Sequence, residues 1–270
     1  MAIITISRGT GTGGRILAER VAERLGYDLV SREEIVRQAT AYGASEQDLR
    51  TALTKPPSLW DRFQHQRHRY LAFVQAALCS RVRNGRAVYH GNAGHLLLPG
   101  ISHVLCVRLI APLEYRVRML RERKSMTESE AVAYIRKVDR ERERWTRFLY
   151  GVDWLDPHLY DVCLNLRTMN IEDAVDMLDV ASHSERFTTT DESRRAMDDL
   201  VLASRVKASL AADPRTAPAE VGIRAEDGTV FLRGRLRPAS LVDAVLEVTE
   251  GVDGVERVDR EDLAAPEYMV

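Results

Sequence analysis

Residues 3–14 read Ile-Ile-Thr-Ile-Ser-Arg-Gly-Thr-Gly-Thr-Gly-Gly. The β-branched run predicts a strand over 3–7. A helix is expected from 15 to about 25, burying Leu17, Val21 and Leu25 and turning Glu19, Arg20, Glu23 and Arg24 to water. Gly26 stands where that helix should stop. The junction between strand and helix is nearly all glycine and threonine. Glycine admits positive φ and lets another group come close to the backbone. Successive amides then form a nest at the positive end of a helix, a geometry that holds an anion, above all a phosphate.

The spacing from Gly9 to Gly14 fits the first part of the phosphate-loop pattern G-x-x-x-x-G-K-[ST]. Arg15 and Ile16 then stand in the lysine and hydroxyl positions. A second register takes Gly11-Thr12-Gly13 as the usual G-x-G and leaves Gly14 in the lysine position. In both, the lysine and the magnesium-ligating hydroxyl are absent, and Thr10 or Thr12 is the nearest hydroxyl. The phosphate-binding candidates are Gly9, Gly11, Thr12, Gly13, Gly14 and Arg15. A strand–helix turn that binds nothing is the competing reading.

Further strands are expected at 27–30, 87–90, 103–110 and 161–166. Helical segments fill the intervals, broken by a loop at Lys55-Pro56-Pro57-Ser58. Pro112 opens one helix, and Thr127 with Glu130 form a capping box for the next. An amphipathic helix over 171–183 closes the pattern. This alternation predicts an α/β domain, a parallel sheet with helices on both faces. Ligand loops then gather at the carboxyl ends of the strands.

Between Arg108 and Arg147 the chain is dense in arginine, including Arg116, Arg118, Arg136, Arg140, Arg142 and Arg144. Guanidinium forks suit phosphate, and phosphoryl transfer is chiefly positioning and charge neutralisation. The segment as a whole reads as a basic lid, although any one arginine is more readily a solvated ion-pair partner of Glu122, Glu130, Glu141 or Glu143. Arg32, His90 and Asn92 are the substrate-side candidates, the last two at the end of the third strand. A second basic patch gathers His65, His68, Arg62, Arg67 and Arg69.

A net charge of −1 gives no global attraction to nucleic acid, and none is expected as a partner. Cys79, Cys106 and Cys163 lie in apolar neighbourhoods and read as reduced core residues. No stretch approaches the length of a membrane span, and the start lacks the form of a signal peptide. A cytoplasmic protein is expected. No cysteine–histidine cluster indicates a metal.

Composition changes near residue 184, and 185–196 read as a linker. Beyond it stand a helix to about 211, two strand-like runs around Asp227-Gly228, a second helix over 238–249 and a strand over 255–259. This is a small α/β unit over 197–262, with 263–270 as a tail.

Four segments carry a resemblance: ITISRGTGTGGRILAERVAERLG, HVLCVRLIAPLEYRVRMLRER, AYIRKVDRERERWTRFLYGVDWLDPHLYDVCLNL and IEDAVDML. Residues 1–184 resemble the cytidylate kinase-like family, a branch of the P-loop nucleoside monophosphate kinases. Its loop is typically Gly-Ser-Gly-Gly-Arg, which Gly11-Thr12-Gly13-Gly14-Arg15 follows. The chain departs from the branch near Ser31, where an acidic residue is usual, and at Gly91-Asn92, where Gly-Arg is usual. The resemblance implies ATP and magnesium as cofactors, a nucleotide and a small phosphorylated acceptor as ligands, and Arg15, Arg140 and Arg144 as catalytic residues. The C-terminal part resembles the BON domain family on VKASLAADPRTAPAEVGIRAEDGTVFLRGRL and VTEGVDGVERV, which implies a phospholipid or protein partner. Three readings follow: a phosphotransferase, a nucleotide-sensing pseudokinase that signals through the BON-like part, and a scaffold.

Overall fold

The structure, a computed structural model, describes residues 2–54, 64–91, 93–260 and 262–264. The expected Lys55–Ser58 loop and Asn92 lie outside them, as do Arg62 and the side chains of His65 and Arg67. The described residues form two compact units, one of 2–34, 53–54 and 84–190, the other of 35–52, 64–83 and 191–264.

The first unit is built on five parallel strands: β1 (Ile3–Arg8), β2 (Asp28–Ser31), β3 (Ala87–His90), β4 (Val104–Ile110) and β5 (Val162–Asn165). Their order is β2-β3-β1-β4-β5, with Ile3 registered against both Ala87 and Val104. The central strand β1 is buried from Ile3 to Ser7, as a parallel strand covered on both faces must be. Its inward residues Ile4 and Ile6 meet Leu17 and Val21 of α1 (Gly14–Leu25) and Ala174, Val175 and Leu178 of α8 (Ile171–Ser182). Each such isoleucine, leucine or valine contributes roughly 1.5–3 kcal/mol on full burial.

After β4 come α6 (Leu113–Lys124) and α7 (Glu128–Tyr150), joined through Val117, Leu120, Ala131 and Ile135. The capping box at the start of α7 forms as expected: Glu130 N donates to Thr127 and Thr127 N to Glu130. A short helix, α5 (Gly94–Leu97), follows β3.

The second unit draws on two parts of the chain. From the N-terminal half come most of α2 (Arg32–Ala39), α3 (Glu46–Thr54) and α4 (Gln64–Val82). From the C-terminal part come α9 (Asp191–Ala212), the hairpin β6 (Gly222–Glu226) and β7 (Thr229–Arg235), α10 (Ala239–Glu250), β8 (Arg257–Asp259) and β9 (Leu263–Ala264). The hairpin turns on Asp227 and Gly228, both at positive φ, with Glu226 opposite Thr229. That geometry suits an Asp-Gly turn. Leu202, Val206, Leu210, Val230, Leu232 and Val245 form its core. Helix α4 lies along α9 and is buried at Phe73, Val74, Ala76, Ala77, Leu78 and Cys79, apolar nearly all round.

Three expectations are corrected. The segment 185–196, expected as a linker, carries regular structure: residues 185–187 form a 3-10 turn and α9 begins at Asp191. Asp191 and Glu192 occupy its first turn, where the helix dipole favours them, and Ser193 is already buried. Leu263 and Ala264, expected in a tail, pair with β7. Of the three cysteines only Cys79 is buried; Cys163 is exposed on β5.

Candidate functional site

The glycine loop leaves the carboxyl end of β1, between β3 and β4, where strand order diverges to either side. Gly13 precedes α1 with φ 82° and no side chain caps the helix. No acidic residue stands in its first turn. The amides at this positive end are therefore free to hold an anion. Gly11 has φ 79°, and a Cβ there would lie 2.7 Å from the Arg116 carbonyl oxygen. Both positions require glycine.

Two helices hold the loop in place. Arg116 of α6 donates from Nε to the Thr10 carbonyl at 2.8 Å and pairs with Asp139 of α7. Asp139 Oδ1 accepts from Thr10 N at 3.0 Å. Arg142, one turn further along α7, donates to the Arg8 carbonyl at 3.2 Å. Thr12 Oγ1 donates to Gly9 O, while the buried Thr10 hydroxyl has no partner among the described residues.

Positive charge accumulates beside the loop with little to balance it. Burial lowers the Arg8 pKa, and Arg32 lowers it further. Burial, then Arg8, pushes Arg142 down to about 10. Asp139 is the carboxylate closest to Arg142, at 3.8 Å, and Arg116 shares it. A site that holds several cations close together and partly out of water favours a multiply charged anion.

Residues 3–168, more than half of the chain, match the cytidylate kinase-like family. The chain belongs to that family. Residues 198–263 match the BON domain. A cytidylate kinase of Ignicoccus hospitalis is 27% identical over 181 residues, 66% of this chain and 97% of that protein. A cytidylate kinase of Methanosarcina acetivorans is 29% identical over 182 residues, 66% of this chain and 94% of that protein. The crystal structure of an uncharacterized protein from Eubacterium ventriosum matches with a TM-score of 0.54 at 18% identity, over 67% of this chain and 97% of that one.

Two cavities flank the family's loop. One, of about 370 Å³, is lined by the loop from Arg8 to Ile16 together with Arg123, Tyr134 and Arg142. The other, of about 440 Å³, lies between β4, α6 and α7, with Gly9, Thr12, Arg108, Asp139, Arg140 and Trp154 in its wall. Arg108 packs over the Trp154 ring at 4.7 Å and donates to the Trp154 carbonyl.

The residues expected from sequence fall into distinct places. Gly9, Gly11, Thr12, Gly13 and Gly14 are brought together around the first cavity. Arg15 borders it, but its guanidinium pairs with Glu19 at 2.7 Å and its side chain is 70% exposed. Arg140 and Arg144 are both exposed; Arg140 lines the second cavity and Arg144 lines neither. Arg32 pairs with Glu33 at 3.2 Å. Glu33 is held below the usual carboxylate range: burial raises it, but backbone hydrogen bonding and Arg32 outweigh that. His90 is buried at the end of β3, and burial with Arg8 nearby pushes it down to about 4. Arg8 was not singled out from sequence, nor was the pairing of Arg116 with Asp139. Arg8 carried one signal: it stands immediately before the first glycine, in a loop that lacks its cation.

No helix among the described residues is long and apolar enough to cross a membrane. No group of three or more histidine, cysteine or acidic side chains among them is arranged to hold a metal.

Proposed function

We propose that this chain transfers the γ-phosphoryl group of ATP to a nucleoside monophosphate, in the manner its cytidylate kinase relatives' names describe. The observation that carries the reading is the set of poorly balanced arginines, Arg8 and Arg142, against an uncapped helix terminus and a loop whose Gly11 and Gly13 need positive φ. Gly11, Thr12, Gly13 and Gly14 would cradle the phosphates through their amides. Arg142 and Arg140 would approach the transferring group from α7. Arg32 and His90 would face the acceptor.

The loop fits a polyphosphate. It fits magnesium less fully, because neither Arg15 nor Ile16 offers a hydroxyl, and Thr10 is the one loop hydroxyl without a partner among the described residues. Magnesium would be held mainly by nucleotide oxygens and water, with the Thr10 hydroxyl as the protein's contribution. When bound it neutralises charge on the transferred phosphoryl group. The BON domain would add a separate binding function, for a phospholipid or a protein.

The test is a coupled turnover assay with ATP or GTP against each nucleoside monophosphate, alongside thermal shift with the same ligands. A pyrimidine monophosphate is the expected acceptor. Absence of turnover with every acceptor would overturn the reading.

A further inference from the structure

The loop lacks a lysine, and the structure shows what fills the space. An ideal Cβ placed on Gly14 would lie 2.0 Å from Cδ of Arg8 and 3.0 Å from its Cγ and Nε. The aliphatic stem of Arg8 thus runs through the volume that any side chain at 14 would need. Position 14 is the lysine position when Gly11-Thr12-Gly13 is taken as the G-x-G of the phosphate loop. Arg8 leaves the last residue of β1, lies across the first turn of α1 and lines the cavity bounded by the loop.

We propose that Arg8 replaces the missing lysine: it reaches across Gly14 and presents its guanidinium to the terminal phosphates of a nucleotide bound in the loop. The proposal rests on the nucleotide-binding reading above and names the cation that acts in it.

Three observations favour a ligand role over a packing role. Arg8 forms no ion pair with a carboxylate among the described residues; of the charged groups that act on it, Arg32 and Arg123 lower its pKa and Glu33 raises it. Arg8 is half-buried, and a partly buried cation without an ion-pair partner does not stabilise a fold, so packing alone gives no reason for a guanidinium here. Of the other cations near the loop, Arg15 pairs with Glu19, Arg116 with Asp139 and Thr10, and Arg142 with the Arg8 carbonyl, while Arg123 lines the same cavity but Arg8 is the residue packed against Gly14. Finally, Gly14 does not have positive φ. Its lack of a side chain is explained by the passage of Arg8, not by backbone strain. The two positions form one device, in which the residue before the loop carries the charge and the residue after it makes room.

The test uses the full chain, with Mg·ATP and inorganic tripolyphosphate as probes in calorimetry and with melting temperature measured without ligand. Arg8→Gln should weaken both probes by about tenfold to a hundredfold, the loss expected for a hydrogen bond to a charged group. It should leave the ligand-free melting temperature unchanged or higher. Gly14→Lys alone should lower the melting temperature, because two long side chains compete for one channel. The pair Arg8→Ala/Gly14→Lys should bind tripolyphosphate more tightly than Arg8→Ala. If Arg8→Gln fails to fold, Arg8→Lys and the paired variant carry the comparison. Equal affinity of parent and Arg8→Gln for both probes would overturn this inference and leave the nucleotide reading intact. A parent that binds neither probe would overturn both. A folded paired variant that binds no better than Arg8→Ala would refute the shared channel.

Discussion

Asp139 on α7 and Arg116 on α6 pair with each other, and together they hold both polar ends of the loop backbone at Thr10. Asp139 accepts from the amide of Thr10, and Arg116 donates to its carbonyl. The side chains are 23% and 16% exposed, so water replaces them poorly. Asp139→Ala should cost about 1.5–3 kcal/mol, the range for hydrogen bonds to charged groups. Urea denaturation measures it. In a double-mutant cycle with Arg116→Ala, the coupling should be about 0.5–3 kcal/mol and favourable. Additive losses would show that the pair does not act as one unit.

Gly11→Ala tests the loop backbone. Its φ of 79° and the Arg116 carbonyl 2.7 Å from the added Cβ leave no room for relaxation without moving α6. A loss on the order of 1–3 kcal/mol is expected. Gly13→Val, at φ 82°, should remove ATP binding while the fold survives. Calorimetry and circular dichroism on the same sample separate the two effects.

The arginines of α7 should rank by where they point. Arg142→Ala should depress turnover most, by up to about 10³ if it neutralises the transferring group. Arg140→Ala should have an intermediate effect, since Arg140 lines the second cavity. Arg144→Ala should have the least, since Arg144 lines neither cavity. Steady-state kinetics on the three variants reads the order, and a dominant effect of Arg144→Ala would mean that the segment closes in another arrangement with nucleotide bound.

Acid should unfold the first unit through two histidines. His90 and His95 are buried and titrate near 4 in the fold, each chiefly because of burial, against about 6.5 in an unfolded chain. Between these values the unfolded chain binds more protons, so stability falls as pH drops from about 6.5 toward 4 and is flat above. Each histidine should account for roughly 1–3 kcal/mol of that loss. Urea midpoints across pH 4–7 measure the slope, and His95→Gln should flatten it.

A fragment of residues 1–184 should be less soluble and less stable than the full chain. Removing the C-terminal part strips α9 from α4, whose Phe73, Val74, Leu78 and Cys79 are buried. An exposed apolar helix face invites aggregation. A monomeric fragment that melts at the parent's temperature would show that 1–184 is an independent domain.

Features set by residues close together in the chain were legible. The strand–glycine–helix entry is local: β-branched residues, a helical stripe and Gly26 lie within one short window, and the structure follows them. The same holds for the Thr127 capping box and the Asp227-Gly228 turn. The sheet class was legible from strand–helix alternation. The start of α9 was not, because a polar first turn resembles a linker until its acidic residues are weighed against the helix dipole.

What the sequence determined by itself was a parallel α/β frame, a phosphate loop without its lysine, and membership of a kinase-like family. Tertiary structure alone decided which cations serve that loop. Arg15 is next to it in sequence yet turns to Glu19, while Arg116 and Arg142 arrive from helices more than a hundred residues away. It also decided that α4 belongs with α9. Periodicity records which face of an element is apolar, but not which distant element covers it, and a guanidinium's direction depends on the local balance of carboxylates and burial. Those quantities exist only once the chain has folded.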